Sequence, residues 1–138
     1  MSLAIEAEFA VRLILSSVLA GVVGLEREVS LKPAGLRTHI LVGLGSALLT
    51  ILSQEAFVGE SVDPSRIAAS IVIGIGFLGA GTIIKTEEKI IGLTTAATLW
   101  IVASIGMATG TGRYLLAIVT TLLAFIVLKL TLIEKTRN

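Results

Sequence analysis

The chain has 138 residues, 54% hydrophobic and 15% charged, with a mean hydropathy of +0.97 and a net charge of +1. This length suits one domain, 1–138, and so apolar a composition excludes an ordinary water-soluble protein in favour of an integral membrane protein. Without cysteine and with His39 alone, it holds no disulfide, cysteine nucleophile or multi-histidine metal site, and its basic residues are too scattered for nucleic acid.

Glu6 and Glu8 precede the first apolar run, the opposite of the basic start of a signal peptide, so that run is read as a retained helix. Five apolar segments follow at about 9–25, 36–58, 66–84, 90–109 and 114–133. Arg12 sits near the start of the first, where its long stem can snorkel. Gln54 and Glu55 fall in the last turns of the second. Asp63 suits an N-cap and Pro64 the first helical position of the third. The connections are short, so consecutive helices are expected to be antiparallel neighbours in an all-α bundle of five transmembrane helices.

Lysine and arginine set the orientation. Arg27, Lys32, Arg37, Lys85, Lys89, Lys129, Lys135 and Arg137 lie in alternate polar segments, against Arg12, Arg66 and Arg113 in the others. The expected topology is N-terminus outside and C-terminus in the cytoplasm. The expected location is a bacterial inner membrane, with several passes through its lipid.

The third segment carries Gly74, Gly76, Gly79 and Gly81 in a charge-free stretch. Gly74-x-Gly76-x-x-Gly79 spells the dinucleotide-binding fingerprint, but that fingerprint needs an acid about 20 residues on. No acid lies between Lys89 and Glu134. Small residues letting helices touch in lipid is the preferred reading, and Gly76, Gly79 and Gly81 are expected to set the closest approach. A helix broken around Gly79 and Gly81, facing the start of the fourth helix across a substrate cavity, is the competing reading. Ala20-x-x-x-Gly24 and Gly106-x-x-x-Gly110 are further small-residue pairs that suit folding or dimerisation alike.

Candidate functional side chains gather at the membrane edge expected to be cytoplasmic. Glu26, Arg27 and Glu28 end the first helix; Arg37, Thr38 and His39 open the second. Arg37 is expected to clamp Glu26 or Glu28. Either the cluster fixes topology, or one carboxylate turns inward toward a hydrated cation or a partner's cationic group. Glu26 and Glu28 are thus the weak candidates for a Mg²⁺ site, which the sequence permits without demanding; no other cofactor is expected. His39 is read as a polar boundary residue. Thr94 and Thr95 open the fourth helix, as caps or as partners for backbone freed by the glycines. Trp100 lies deep and needs a partner for its indole group. The fifth helix, polar inside only at Thr120 and Thr121, reads as a lipid-facing wall. No nucleophile, base and orienting group recur together, so no enzymatic activity is expected.

Gly24-Leu-Glu-Arg-Glu28, Ala34-Gly-Leu-Arg-Thr38, Asp63-Pro-Ser-Arg-Ile67, Gly74-Ile-Gly-Phe-Leu-Gly-Ala-Gly81 and Gly92-Leu-Thr-Thr-Ala-Ala-Thr-Leu-Trp100 together resemble the MgtC/SapB family. The resemblance runs in order over about 21–112. It implies a five-span bacterial inner-membrane protein, adaptation to low magnesium and, in some pathogens, survival in host cells. It further implies a regulator of other membrane proteins, the F-type ATP synthase among them, rather than a magnesium transporter. Two departures limit what carries over. Longer members continue into a soluble regulatory domain, whereas this sequence stops at Asn138. Some virulence-associated members have Asn where this chain has Thr94. The function expected is therefore a non-enzymatic, homo-oligomeric membrane regulator. The alternative is a small ion transporter or channel with Mg²⁺ as its substrate.

Overall fold

The computed structural model describes residues 2–57, 59 and 62–130. Among them are five helices: α1 (Leu3–Val29), α2 (Leu36–Glu55), α3 (Ser65–Gly81), α4 (Leu93–Gly110) and α5 (Tyr114–Lys129). Between α3 and α4 lies a small antiparallel hairpin, β1 (Ile84–Lys85) and β2 (Ile90–Ile91), pairing Ile84 with Ile91 and Lys85 with Ile90. By length and composition, α1, α2 and α4 can cross a membrane; α3 and α5 are apolar but shorter, at 17 and 16 residues. The ends expected at 58 and 133 lie outside the described residues.

Several boundaries differ from expectation: α1 is longer at both ends, running from Leu3 to Val29, α3 ends early and α4 starts late. Helix α1 starts at Leu3 because helix and hydropathy do not end together: Glu8 pairs with Arg12 one turn on. Helix α3 stops at Gly81, where Thr82 donates through both its amide and its hydroxyl to Gly79 O. The isoleucines at 83, 84, 90 and 91 then belong to the hairpin connection, not to helices. Thr86 closes the hairpin, its amide and hydroxyl donating to Lys89 O at 2.9 and 3.0 Å. Gly92 launches α4 with φ +94°, and a Cβ there would lie 1.9 Å from Thr82 O, so only glycine fits. Helix α3 itself is continuous, which overturns the broken-helix reading.

Asp63 caps α3 as expected. Its Oδ1 accepts from the Ser65 amide at 2.9 Å and hydroxyl at 2.7 Å, and Pro64 already has helical angles of −67° and −15°. Those Ser65 hydrogen bonds hold the exposed Asp63 carboxyl below its ordinary pKa. The C-termini of α1 and α4 close in the same way, with Lys32 N–H bonding to Arg27 O and Arg113 N–H to Ala108 O, past left-handed Leu31 and Gly112.

The centre of the bundle is α2, gripped by α1 and α4. Added to Gly106, a Cβ would lie 2.3 Å from Gly43 O; added to Gly110, 2.8 Å from Ala47 O. On the other side, a Cβ on Gly43 would meet Ala20 at 2.6 Å and one on Gly24 would meet His39 at 2.8 Å. The pairs Ala20–Gly24 and Gly106–Gly110 therefore serve folding within one chain. Leu19, Val23, Val102, Ile105, Ala117 and Leu128 form the apolar core beside these contacts. Hydroxyls within it bond to helix carbonyls: Ser16 to Gly43 O at 2.8 Å, Thr50 to Ser46 O at 2.7 Å and Thr121 to Ala117 O at 2.8 Å. Among the described residues no buried side-chain polar atom lacks a partner, as an interior without water requires.

Helix α3 is peripheral. Ile71 and Ile75 pack on Ala103, while Phe77 on the outer side is 83% exposed. A Cβ on Gly74, Gly76 or Gly81 would meet nothing within 4 Å, and one on Gly79 would only touch Ala96 at 3.5 Å. Within the chain, then, the close approach is not made where Gly76, Gly79 and Gly81 were expected to make it. Helix α5 keeps Ala117, Thr121 and Leu128 inward and exposes most of its other apolar residues, so it forms a wall as expected. Trp100 is also on the perimeter, 47% exposed, and no described hydrogen bond reaches its indole, contrary to expectation. Far from the hairpin, Arg12 donates to Gly110 O at 2.8 Å, placing its charge at the negative end of α4.

These contacts sort the glycines by consequence. Gly106→Ala should destabilise the protein in detergent by roughly 1–3 kcal/mol, because backbone must move to admit the methyl. In the same thermal-unfolding measurement, Gly74→Ala and Gly76→Ala should be neutral or gain up to about 1 kcal/mol from helix propensity. Equal losses at Gly106 and Gly74 would contradict this packing.

Candidate functional site

The α1–α2 loop, the hairpin, the start of α4 and the end of α5 meet at one end of the bundle, here called the hairpin end. They enclose a cavity of about 490 Å³ lined by Glu26, Arg27, Ser30, Lys32, Thr94, Thr95 and Lys129, with Ile90, Ile91 and Leu128 on its apolar side. Four of the expected site residues, Glu26, Arg27, Thr94 and Thr95, are thus brought together. Glu28, Arg37 and Thr38 line a separate, neighbouring cleft of about 400 Å³.

Glu26 and Arg27 are the buried charges of this region, only 6% and 3% exposed. Adjacent helical residues do not ordinarily face each other. Here, in the last turn of α1, Arg27 Nε and Nη2 both reach Glu26 Oε2. The second carboxylate oxygen, Oε1, accepts from Ser30 Oγ at 2.8 Å. The pair is neutral as a whole and its acceptors are occupied. The expected clamp by Arg37 is not formed: Arg37 is exposed and makes no ion pair among the described residues.

Glu28 does something different. Its Oε2 accepts from Leu36 N–H at 2.9 Å, capping α2 in place of Gly35, which has no side chain to do so. A Cβ on Gly35 would sit 1.8 Å from that same oxygen, so a larger residue there would require the Glu28 carboxylate to shift. Glu26 and Glu28 therefore do not converge on a common ion. Among the described residues no group of three or more His, Asp or Glu side chains gathers. Mg²⁺ prefers carboxylate oxygens left open to complete an octahedron. With Glu26 held by Arg27 and Ser30 and Glu28 by a helix amide, these residues do not fit a resident Mg²⁺ site.

His39 is not a boundary residue but a core one, 0% exposed. Its Nδ1 lies 2.8 Å from Gly35 O and its Nε2 3.0 Å from Thr98 Oγ1. A carbonyl can only accept, so the ring proton is on Nδ1. His39 thereby ties α2 to α4. Thr95 is buried and Thr94 exposed at the rim, and no side chain caps the helix they open. In the sequence Lys32 and Lys129 are topology markers only; the α1 turn and the end of α5 make both cavity walls.

The sequence model described as the MgtC family matches residues 13–135. The chain belongs to the MgtC family. It is 47% identical over 129 residues to YhiD of Escherichia coli, which carries a provisional magnesium-transporter name; the match covers 89% of this chain and 60% of YhiD. SapB of Bacillus subtilis is 40% identical over 117 residues, covering 80% of this chain and 50% of SapB. MgtC of Brucella abortus is 47% identical over 94 residues, 68% of this chain and 39% of that protein. The chain thus spans about 60% or less of the length of these relatives. No solved structure matches it. The family assignment and the apolar helices together make this a membrane protein of a magnesium-linked family.

The buried ion pair gives a test that separates charge balance from packing. Arg27→Met leaves Glu26 buried without its partner and should cost about 3–5 kcal/mol, read as thermal stability in detergent. Adding Glu26→Gln should recover most of that loss, since the remaining groups are then neutral.

Proposed function

We propose that this MgtC-family chain is a non-enzymatic, multi-pass inner-membrane regulator that supports growth at low magnesium by contacting other membrane proteins. All five helices cross the bilayer, with the N-terminus outside and the hairpin end in the cytoplasm, where lysine and arginine concentrate. Homo-oligomers form in the lipid, and the F-type ATP synthase is one candidate partner. The observation that carries this reading is the filled centre of the bundle. Backbone of α2 meets backbone of α4 so closely at Gly43 and Gly106 that not even a methyl group fits. A hydrated cation has no passage there, and the buried carboxylate at the hairpin end is already neutralised by Arg27.

The second reading is a magnesium transporter, favoured by the name of the Escherichia coli relative. Mg²⁺ flux into sealed proteoliposomes separates the two, comparing native protein, the Glu26→Gln/Glu28→Gln variant and empty vesicles. Native protein, shown to be folded and inserted, is expected to give no saturable flux above empty vesicles. The same protein should restore growth at low magnesium to cells lacking it. Saturable flux abolished in the double variant would make the chain a transporter.

A further inference from the structure

Neither reading uses the chemistry of His39, the single histidine of the chain, whose side chain is wholly buried where α2 meets α1 and α4. The ring stands between Gly35 O at 2.8 Å and Thr98 Oγ1 at 3.0 Å, and Thr98 Oγ1 in turn lies 2.8 Å from Thr95 O. A neutral ring donates from Nδ1 to Gly35 O and accepts the Thr98 hydroxyl proton at Nε2. A charged ring donates from both nitrogens, and the Thr98 hydroxyl then turns to Thr95 O. The same heavy-atom positions satisfy either state, so charge rather than hydrogen bonding decides between them. From α1 the groups facing the ring are Arg27 and Glu26, which neutralise each other, while Glu28 is exposed and held by the Leu36 amide. From α4 they are Thr95 and Thr98, and nothing in Leu93–Gly110 ionises. Arg37 of α2 is exposed and itself cationic, and Arg66 of α3 lies at that helix's far end.

We propose that His39 is a proton-operated latch: neutral, it fastens the start of α2 to α4, and on taking up a proton it releases that contact and opens the hairpin end. A proton on the closed ring leaves one uncompensated positive charge in a core without water, and a buried charge with no counter-charge is far costlier than a neutral ring. Release lets water reach the ring and removes that cost. The opened form therefore binds a proton that the closed form excludes, and by linkage opening rises as pH falls through the range where histidine titrates. Thr95, whose carbonyl ends the hydrogen-bonded series, also lines the hairpin-end cavity beside Glu26 and Arg27, so release reaches the candidate site directly. The latch works alike in a regulator and in a transporter.

The test uses the full chain in non-ionic detergent at about pH 7.5 and about pH 5.5, one unit either side of the ordinary histidine pKa of about 6.5. Amide hydrogen exchange, divided by the chemical exchange rate at each pH, gives the opening equilibrium of the first hydrogen-bonded turns of α2 and α4, from His39 and Ala96 onward. Native protein is expected to open about tenfold more at the lower pH, and His39→Gln, neutral at both, to stay within about twofold. Unchanged protection in the native protein, or the same rise in His39→Gln, overturns the proposal. Should His39→Gln unfold, nitrogen NMR of isotope-labelled histidine decides on native protein alone, because every ring signal belongs to His39. The ring is expected to be neutral, with its proton on Nδ1, wherever the amides are protected; a ring that charges while they stay protected overturns the proposal equally.

Discussion

Everything in this bundle depends on how closely α2 approaches its two neighbours. In lipid there is no hydrophobic gain from putting apolar helices together, so association has to come from dispersion and from polar contacts made at short range. Gly24, Gly43, Gly106 and Gly110 provide that range by presenting backbone where a side chain would stand. Once the helices are this near, hydroxyls such as Ser16 can reach a carbonyl of the next helix, and His39 can bridge to Thr98. The polar groups then stiffen an arrangement that the glycines allow.

The site at the hairpin end inherits its geometry from the same contacts. Because Gly24 admits the start of α2 beside α1, Glu28 can reach the first amide of that helix and Glu26 stays inside with Arg27. Two glutamates two positions apart therefore take unrelated jobs, one a helix cap and the other half of a neutral buried pair. That division leaves the charge of the cavity to residues from distant parts of the chain, Lys32 and Lys129, held against the uncapped start of α4.

Much of this was legible in the sequence. Hydropathy separates the five helices in order, Asp63 and Pro64 mark the start of α3, and the expected cluster of Glu26, Arg27, Glu28, Arg37, Thr38, Thr94 and Thr95 is met in part, the cavity gathering Glu26, Arg27, Thr94 and Thr95. The hairpin was hidden because Ile83, Ile84, Ile90 and Ile91 are as apolar as a helix, and hydropathy does not distinguish the two. Glycine density misled for a related reason: α3 has the most glycines in sequence, yet what a missing Cβ permits depends on a neighbour that the sequence does not name. His39 looked like an edge residue by position, and only the packing of α4 against α2 turns that edge into an interior. Sequence spacing points from Glu26 across the loop to Arg37, because neighbours along a helix normally diverge; the last turn of α1 breaks that rule.

Arg12 and Glu28 sit on the same helix, 16 residues or about 24 Å apart along its axis. Each reaches out to the end of a different partner: Arg12 to the closing carbonyl of α4, Glu28 to the opening amide of α2. Mechanically, α1 is bolted at both ends, and sliding it along its axis would break a charged hydrogen bond in either direction. Piston-like motion is thereby removed from the central three helices. Helix α3 stands outside that frame, its Ile71 and Ile75 packed on Ala103 of α4.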